Sequence, residues 1–518
     1  MATGPSDVTG TSGGPAVIAT TGVPDAASAR VDALAAEHGG WFDPGGPPAA
    51  PFDVAVIGAG PAGLAAAVAA IDADARVALI DAGPRIGGQY WRHRPGDDRR
   101  HHHDRSAFVR LRDAVETAIA AGTLVHLGGV HVWHVERAPD GFVVHGVVAG
   151  EAREVRARSL VLATGAYDRQ VPFPGWTLPG VYTAGGAQAL LKGHGVVVGR
   201  RVVVSGTGPF LFPVATALAD AGATVLGVFE AGRPTTFARH PLALLRNVGT
   251  MWEAAGYLRT LRAAGVPYRT RTAVVAALGE EELTGVRVAT LDEGWQVVPG
   301  TEREIECDAL AVGYGFTPQP ELALQLGCDV LADADGSLVT RVDDDQASSV
   351  DGVFAAGELT GVGGAALSRA EGEIAGHAAA ARSLGRRVDH ADARGARGLR
   401  ARRRAFAAIL QEAFPVPPGW LEWLAPDTIV CRCEEVTVSR IDTAIEDLGA
   451  TDPRTVKLLA RPGMGPCQGR VCGYATACLV AARTGRATTA DDIAGLAARP
   501  IAQPVSLGLL AGADADTG

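Results

Sequence analysis

A glycine-rich turn set between a strand and a helix restricts the possible folds of this chain more than any other feature. Residues 52–57 (FDVAVI) read as a buried strand. Gly58-x-Gly60-x-x-Gly63 follows, then an Ala-rich helix over 61–72, then a second strand, RVALIDA. That order is a βαβ unit. The first glycine permits the tight turn, the second lets backbone approach a pyrophosphate, and the third allows close helix–strand packing. The helix N-terminus then faces the phosphates with its partial positive charge. Asp81 closes the second strand 23 residues after Gly58, where an acidic side chain accepts hydrogen bonds from ribose hydroxyls. Gly58, Gly60, Gly63 and Asp81 are therefore candidate dinucleotide ligands; the bland alternative is a glycine turn that merely packs.

The theme returns about 150 residues later. Strand RVVVS (201–205) runs into Gly206-x-Gly208-Pro209-Phe210-Leu211, with Glu230 24 residues after Gly206. Leu211 replaces the third glycine and is expected to push the helix away from the strand, which weakens an NAD(P)H reading. Glu230 sits at a ribose-binding position, and Arg233 could instead meet a phosphate. Gly206, Gly208 and Glu230 thus mark a second site for NAD(P) or another adenine nucleotide. The unit has no Cys-x-x-Cys, and Cys307 is the only cysteine near it, so thioredoxin-reductase-like chemistry is rejected. Two such units in this order predict an α/β fold with two Rossmann-like dinucleotide-binding domains, the second inserted in the first.

Four further residues add one-electron chemistry. Cys431-x-Cys433 is followed, after 33 intervening residues, by Cys467-x4-Cys472. A [2Fe–2S] cluster needs two thiolates per iron. A four-cysteine zinc site is the alternative, but structural zinc prefers paired cysteines with two to four residues between them, which C-x-C with C-x4-C fits poorly. Gly463, Gly465 and Gly469 give backbone freedom beside the ligands. The remaining cysteines of the seven (Cys307, Cys328, Cys478) are scattered and odd in number, so a disulfide framework is not expected and a reducing, cytoplasmic setting is. A net charge of −10 argues against general nucleic-acid binding. No segment is long and apolar enough to span a membrane, and residues 1–26 lack the pattern of a signal peptide.

Gly87-Gly88-Gln89-Tyr90-Trp91, ATGA (163–166) and GVFAAGE (352–358) resemble the FAD-contacting segments of two-dinucleotide-domain flavoproteins over roughly residues 52–382. The resemblance implies FAD contacts at Gly88, Gln89, Thr164, Gly165, Gly357 and Glu358; the usual residue at the last is Asp. RPGMGPCQGRVCG and the cysteine spacing resemble a bacterioferritin-associated-ferredoxin-like (BFD-like) [2Fe–2S] domain. With GELTGVGGAALSRAEGEIAG (357–376), the whole order is similar to the large FAD subunit of the opine oxidase, hydrogen cyanide synthase and dye-linked proline or hydroxyproline dehydrogenase group. Sarcosine oxidase alpha subunits resemble it more distantly. In that group the amine is oxidised in a separate D-amino-acid-oxidase-like flavin subunit. The resemblance therefore implies two partners, that flavin protein and a small ferredoxin-like [2Fe–2S] subunit. It also implies FAD and a [2Fe–2S] cluster as cofactors, and no catalytic acid or base in this chain.

The expected organisation is a loose N-terminal extension (1–50), an FAD-binding domain (51–170 and 301–385), the second dinucleotide domain (171–300), a linker and basic helix (386–426), a small, mainly helical [2Fe–2S] domain (427–500) and a tail (501–518). His101-His102-His103 lies among Arg and Asp, so a solvated loop is a better reading than a metal site. The Arg-rich stretch at 397–404 reads as a partner dock or a solvated helix face. Tyr90, Trp91, Tyr167 and Trp176 are aromatics near a flavin or in the core. Two functions of other kinds stay open: a stand-alone NAD(P)H-dependent flavin and iron–sulfur reductase, and a cluster domain serving chiefly for docking or redox sensing.

Overall fold

A computed structural model describes residues 50–94, 104–241, 247–499 and 501–515. The expected extension up to residue 49 and the His101–His103 loop lie outside them. In the first unit, strands Leu124–Gly128, Val77–Asp81, Phe52–Ile57, Glu151–Leu162 and Val353–Ala355 lie parallel in that spatial order. The long strand Glu151–Leu162 serves two sets of partners. Its first half pairs antiparallel with Gly141–Val148, which in turn pairs with His131–Ala138. FDVAVI is apolar almost throughout because helices cover the parallel strands, and the strand is buried accordingly.

The helices Pro61–Asp72 and Ala365–Ser383 approach closely because their facing residues are small. Gly372 and Gly376 lie against the backbone carbonyls of Ala62 and Ala66, where no side chain fits.

The second unit is spliced into the first. Strands Tyr268–Thr270, Thr224–Glu230, Arg201–Gly206, Ala309–Gly313 and Val181–Thr183 form a parallel sheet, and Thr272–Leu278, Gly285–Thr290 and Arg303–Glu306 an antiparallel meander. Ala309–Gly313 completes this sheet although it lies beyond residue 300, where the return to the first unit was expected. The chain crosses back at Phe316–Pro318, which pairs with the outgoing Ala166–Asp168. Leu211 does not push its helix off the strand. The helix simply starts later: it opens at Leu211, five residues after Gly206, whereas the first opens at Pro61, three after Gly58. Leu211 then packs, buried, against Gly313 of the neighbouring strand, which has no side chain to oppose it.

The Arg-rich helix spans Arg394–Ala413. It is neither a free dock nor a solvated face along its length. Arg397 pairs with Asp345, Arg400 with Asp344 (3.1 Å) and Arg404 with the buried Glu371, all on the first unit. Arg403 donates to Thr250 Oγ1 (2.8 Å) on the second. The helix thus clamps the two units together.

The C-terminal region is mainly helical, with helices Val438–Glu446, Pro453–Ala460, Gly473–Arg483 and Ala490–Ala497 around the short strands Ile429–Cys431 and Val436–Thr437. The expected loose tail instead carries a helix, Leu507–Ala515. One continuous hydrophobic core runs from the second unit (Phe173, Trp176, Trp295, Tyr314) into the C-terminal region (Trp420, Trp423, Val430, Ile441, Leu479). Trp176 Nε1 donates to the Ile429 carbonyl (2.6 Å), Trp423 Nε1 to the Trp295 carbonyl (3.0 Å), and the Trp295 and Trp423 rings stack at 6.0 Å. Among the described residues no helix is long and apolar enough to cross a membrane.

Candidate functional site

A cavity of about 1800 Å³ lies where the two units and the C-terminal region meet. Gly58, Gly60, Asp81, Gly88, Gln89, Thr164, Gly165, Glu358 and Gly208 line it. Gly63, Gly206, Gly357 and Glu230 stand behind its wall and shape the turns. Gly58, at φ +110°, lies against the Ala163 carbonyl, so a side chain there would close the cleft between the strands. The helix opening at Pro61 has no side-chain cap, and Pro61 and Ala62 line the cavity. Uncapped N-terminal amides beside a glycine cradle fit the pyrophosphate of a dinucleotide.

The two acidic residues behave differently. Asp81 accepts from the amides of Ala59 (2.5 Å) and Gly83 (2.6 Å) while still facing the cavity. Burial pushes its carboxyl above the usual range against those bonds, and lone pairs remain for a hydroxyl. Glu230 is 1 % exposed. It accepts from Thr207 Oγ1 (2.7 Å), Gly208 N (2.9 Å) and Gly232 N (2.7 Å), which braces the second turn from behind. Burial lifts its pKa to about 7. Thr207, Gly208, Pro209 and Phe210 present that turn to the cavity.

Glu358 uses its extra methylene to fold onto the amides of Gly364 (2.8 Å) and Gly363 (3.2 Å) at the start of the helix Ala365–Ser383. Burial raises its carboxyl too. Behind it, Glu371 accepts from Gly357 N (3.0 Å) and Thr360 Oγ1 (2.8 Å) and pairs with Arg404. Neither Glu371 nor Arg404 was singled out from the sequence. The available signal was an acidic residue within the Ala/Gly-rich stretch 365–383, upstream of an Arg-rich one.

The four cysteines converge. Cys431 ends a strand, Cys472 directly precedes the helix Gly473–Arg483, and both are buried; Cys467 is half-buried and Cys433 exposed. Their thiols interact as a chain, Cys431–Cys472–Cys467–Cys433. Hydrogen bonding to Cys472 holds the Cys431 and Cys467 thiols below the usual range, while Cys472 itself is pushed up. The Gly463 amide lies 3.4 Å from Cys431 Sγ, and Gly465 backs directly onto the Cβ of Cys433, leaving no room for a side chain. A chain of thiols matches a two-iron cluster, in which each iron takes two sulfurs, better than a lone zinc.

Cavity and cysteines share a wall. Arg470 and Val471, within the loop Cys467–Cys472, line the cavity beside Tyr167 and Glu321. No cysteine does. Of the aromatics, Tyr90 and Tyr167 line the cavity, whereas Trp91 is buried against Phe108 and Trp176 joins the C-terminal region to the second unit. Lys192 also lines it and donates to Gln188 Oε1 (2.9 Å).

Residues 52–385 match the pyridine nucleotide-disulphide oxidoreductase family, and residues 429–482 the BFD-like [2Fe-2S] binding domain. An opine oxidase subunit of Agrobacterium tumefaciens (strain Ach5) is 35% identical over 482 residues, covering 89% of this chain and 91% of that protein. The hydrogen cyanide synthase subunit HcnB of Pseudomonas aeruginosa is 34% identical over 469 residues, covering 87% and 96%. The crystal structure of L-proline dehydrogenase from P. horikoshii shares the fold with a TM-score of 0.64 at 22% identity, over 89% of this chain and 79% of that one.

Proposed function

The chain belongs to the pyridine nucleotide-disulphide oxidoreductase family, as an FAD-dependent oxidoreductase with a [2Fe–2S] domain related to opine oxidase and hydrogen cyanide synthase subunits, and on that footing we propose that it is the electron-transferring subunit of a hetero-oligomeric dehydrogenase acting on an amino-acid- or opine-type amine. The observation that carries this reading is the shared wall: the ligand loop Cys467–Cys472 forms part of the cavity that holds the first glycine motif. Gly58, Gly60, Gly63 and Asp81, with Gly88, Gln89, Thr164, Gly165, Gly357 and Glu358, would hold or shape the site of FAD. Cys431, Cys433, Cys467 and Cys472 would hold the cluster. Bound there, FAD supplies two-electron storage and the cluster one-electron transfer. The residues themselves position and insulate: the glycine turns admit the phosphates, the clamp helix fixes the Gly357 turn, and the tryptophan seam fixes the cluster against the cavity.

The amine would be oxidised on a partner, a D-amino-acid-oxidase-like flavin subunit, with a small ferredoxin-like protein completing the complex. Because the second turn opens on the same cavity, NAD(P)H reduction within this chain is the second reading, and Gly206, Gly208 and Glu230 would shape its nucleotide site.

Purification from the native cell decides between them. The proposal expects co-purification with a flavin oxidase-like protein and no flavin bleaching by NADH or NADPH. A chain that purifies alone and bleaches rapidly with either nucleotide would sink the relay reading.

A further inference from the structure

Between the cavity and the cysteines stands one arginine held from several sides. Arg470 lies in the loop between Cys467 and Cys472, and its backbone amide donates to the Cys467 carbonyl (3.1 Å). Its Nη1 donates to the same carbonyl (3.2 Å) and its Nη2 to the Ala502 carbonyl. Its Nε is ion-paired with Glu321 Oε1 at 2.9 Å, and each of the two side chains is 10% exposed. The guanidinium lies 5.9 Å from the centre of the Tyr167 ring. Arg470, Glu321 and Tyr167 all line the cavity. A second guanidinium, Arg499, donates to the Leu496 carbonyl (2.9 Å) and is close enough to interact with Arg470, Glu321 and Cys467.

A half-dry wall is a costly place for a charge unless it is paired and hydrogen-bonded, as Arg470 is here. Guanidinium is permanently charged and held here in a fixed orientation. Uptake of one electron adds one negative charge to a cluster held by four thiolates, and net charge around a cluster helps set its potential. We propose that Arg470 is the positioning residue that sets the reduction potential of the cluster, and that Glu321 both anchors it and offsets part of its charge. With FAD held in the adjoining cavity and a cluster on the four cysteines, the electron would come from reduced flavin, which would lose one electron as the cluster gained one. This rests on the reading of the four cysteines as a [2Fe–2S] site and adds a residue outside the ligand set.

The two partners of the ion pair predict opposite signs, which a merely structural brace does not. Arg470→Gln removes the positive charge and lowers the cluster's potential. Glu321→Gln leaves that charge uncompensated and raises it. Arg470→Lys keeps the charge and stays near the wild type. The experiment is a redox titration of the full chain followed by electron paramagnetic resonance, with iron and flavin content measured on each variant. The expected shift is about tenfold in the oxidised-to-reduced ratio in each direction, which for one electron is about 59 mV. Shifts of the same sign, or a Glu321→Gln potential equal to the wild type, overturn the proposal. If Arg470→Gln fails to retain iron, Glu321→Gln alone decides: a rise supports the proposal and its absence refutes it. A wild-type chain without a one-electron iron–sulfur signal overturns the cluster reading itself, a result distinct from a normal cluster that ignores Arg470.

Discussion

Glu230 offers a test of how the second nucleotide turn is built. Its carboxylate is 1 % exposed and receives three hydrogen bonds, from Thr207, Gly208 and Gly232. Burial outweighs them and lifts the pKa from its ordinary 4.5 to about 7. The folded chain therefore holds a proton there that the unfolded chain has released between those two values. Stability is highest below pH 4.5, falls as pH rises through the window, and is flat above pH 7 as far as this group is concerned. At about 1.4 kcal/mol per pH unit the whole loss is about 3 kcal/mol, of which roughly 2.5 kcal/mol falls between pH 5 and pH 8. The assay is denaturant unfolding at several pH values for the wild type and Glu230→Gln. The glutamine keeps an oxygen for Thr207 and Gly232 but turns an amide donor toward Gly208 N–H, so the variant starts about 1 kcal/mol lower and loses the slope. A slope of equal size in the variant, or no difference in slope between the two, refutes the reasoning. Tyr268 and Tyr314, whose hydroxyls are also pushed up by burial near Glu230, stay neutral across this range and do not confuse it.

Two more expectations follow from other parts of the molecule. Arg404→Ala strands the buried Glu371 with only Arg400 at 4.0 Å for compensation, so a loss of about 3 kcal/mol is expected; a change below about 1 kcal/mol in thermal or denaturant unfolding contradicts a clamp role. Gly465→Ala drives a methyl group into the Cβ of Cys433, whereas Gly473→Ala meets nothing within 4 Å. The affinity for the cluster is expected to fall roughly 5- to 150-fold for the first, from about 1–3 kcal/mol of overpacking, with less iron retained per chain, and to stay unchanged for the second; equal iron in both variants defeats the assignment of the ligand loop.

What could be read from the chain alone was what repeats locally. The helix over 61–72 follows from the Ala-rich stretch behind the glycine turn, and the structure has Pro61–Asp72. The ligand cysteines and glycine turns announce themselves because their chemistry needs fixed spacings. Long-range pairings leave no such trace. Trp176 and Ile429 are 253 residues apart when they bond, and nothing at either position names the other. The Arg-rich stretch illustrates the same limit: composition says charge, and only the position of Asp344, Asp345 and Glu371 turns that charge inward. Leu211 misled because its consequence depends on a glycine 102 residues later, Gly313, which leaves the room it needs.

On the relay reading proposed above, the tryptophan seam would also decide what kind of wire this chain makes. A carrier domain on a tether trades distance for time, swinging between donor and acceptor at a pace set by solvent drag and linker length. With Trp176, Trp295, Trp420 and Trp423 in one core, the gap from cavity to cluster is written once, at folding, and every later crossing inherits it. On that reading the waiting would move to the outer edge, where Cys433 meets solvent. Freezing, viscous media or a shortened linker should leave the internal hop untouched while they slow what happens outside.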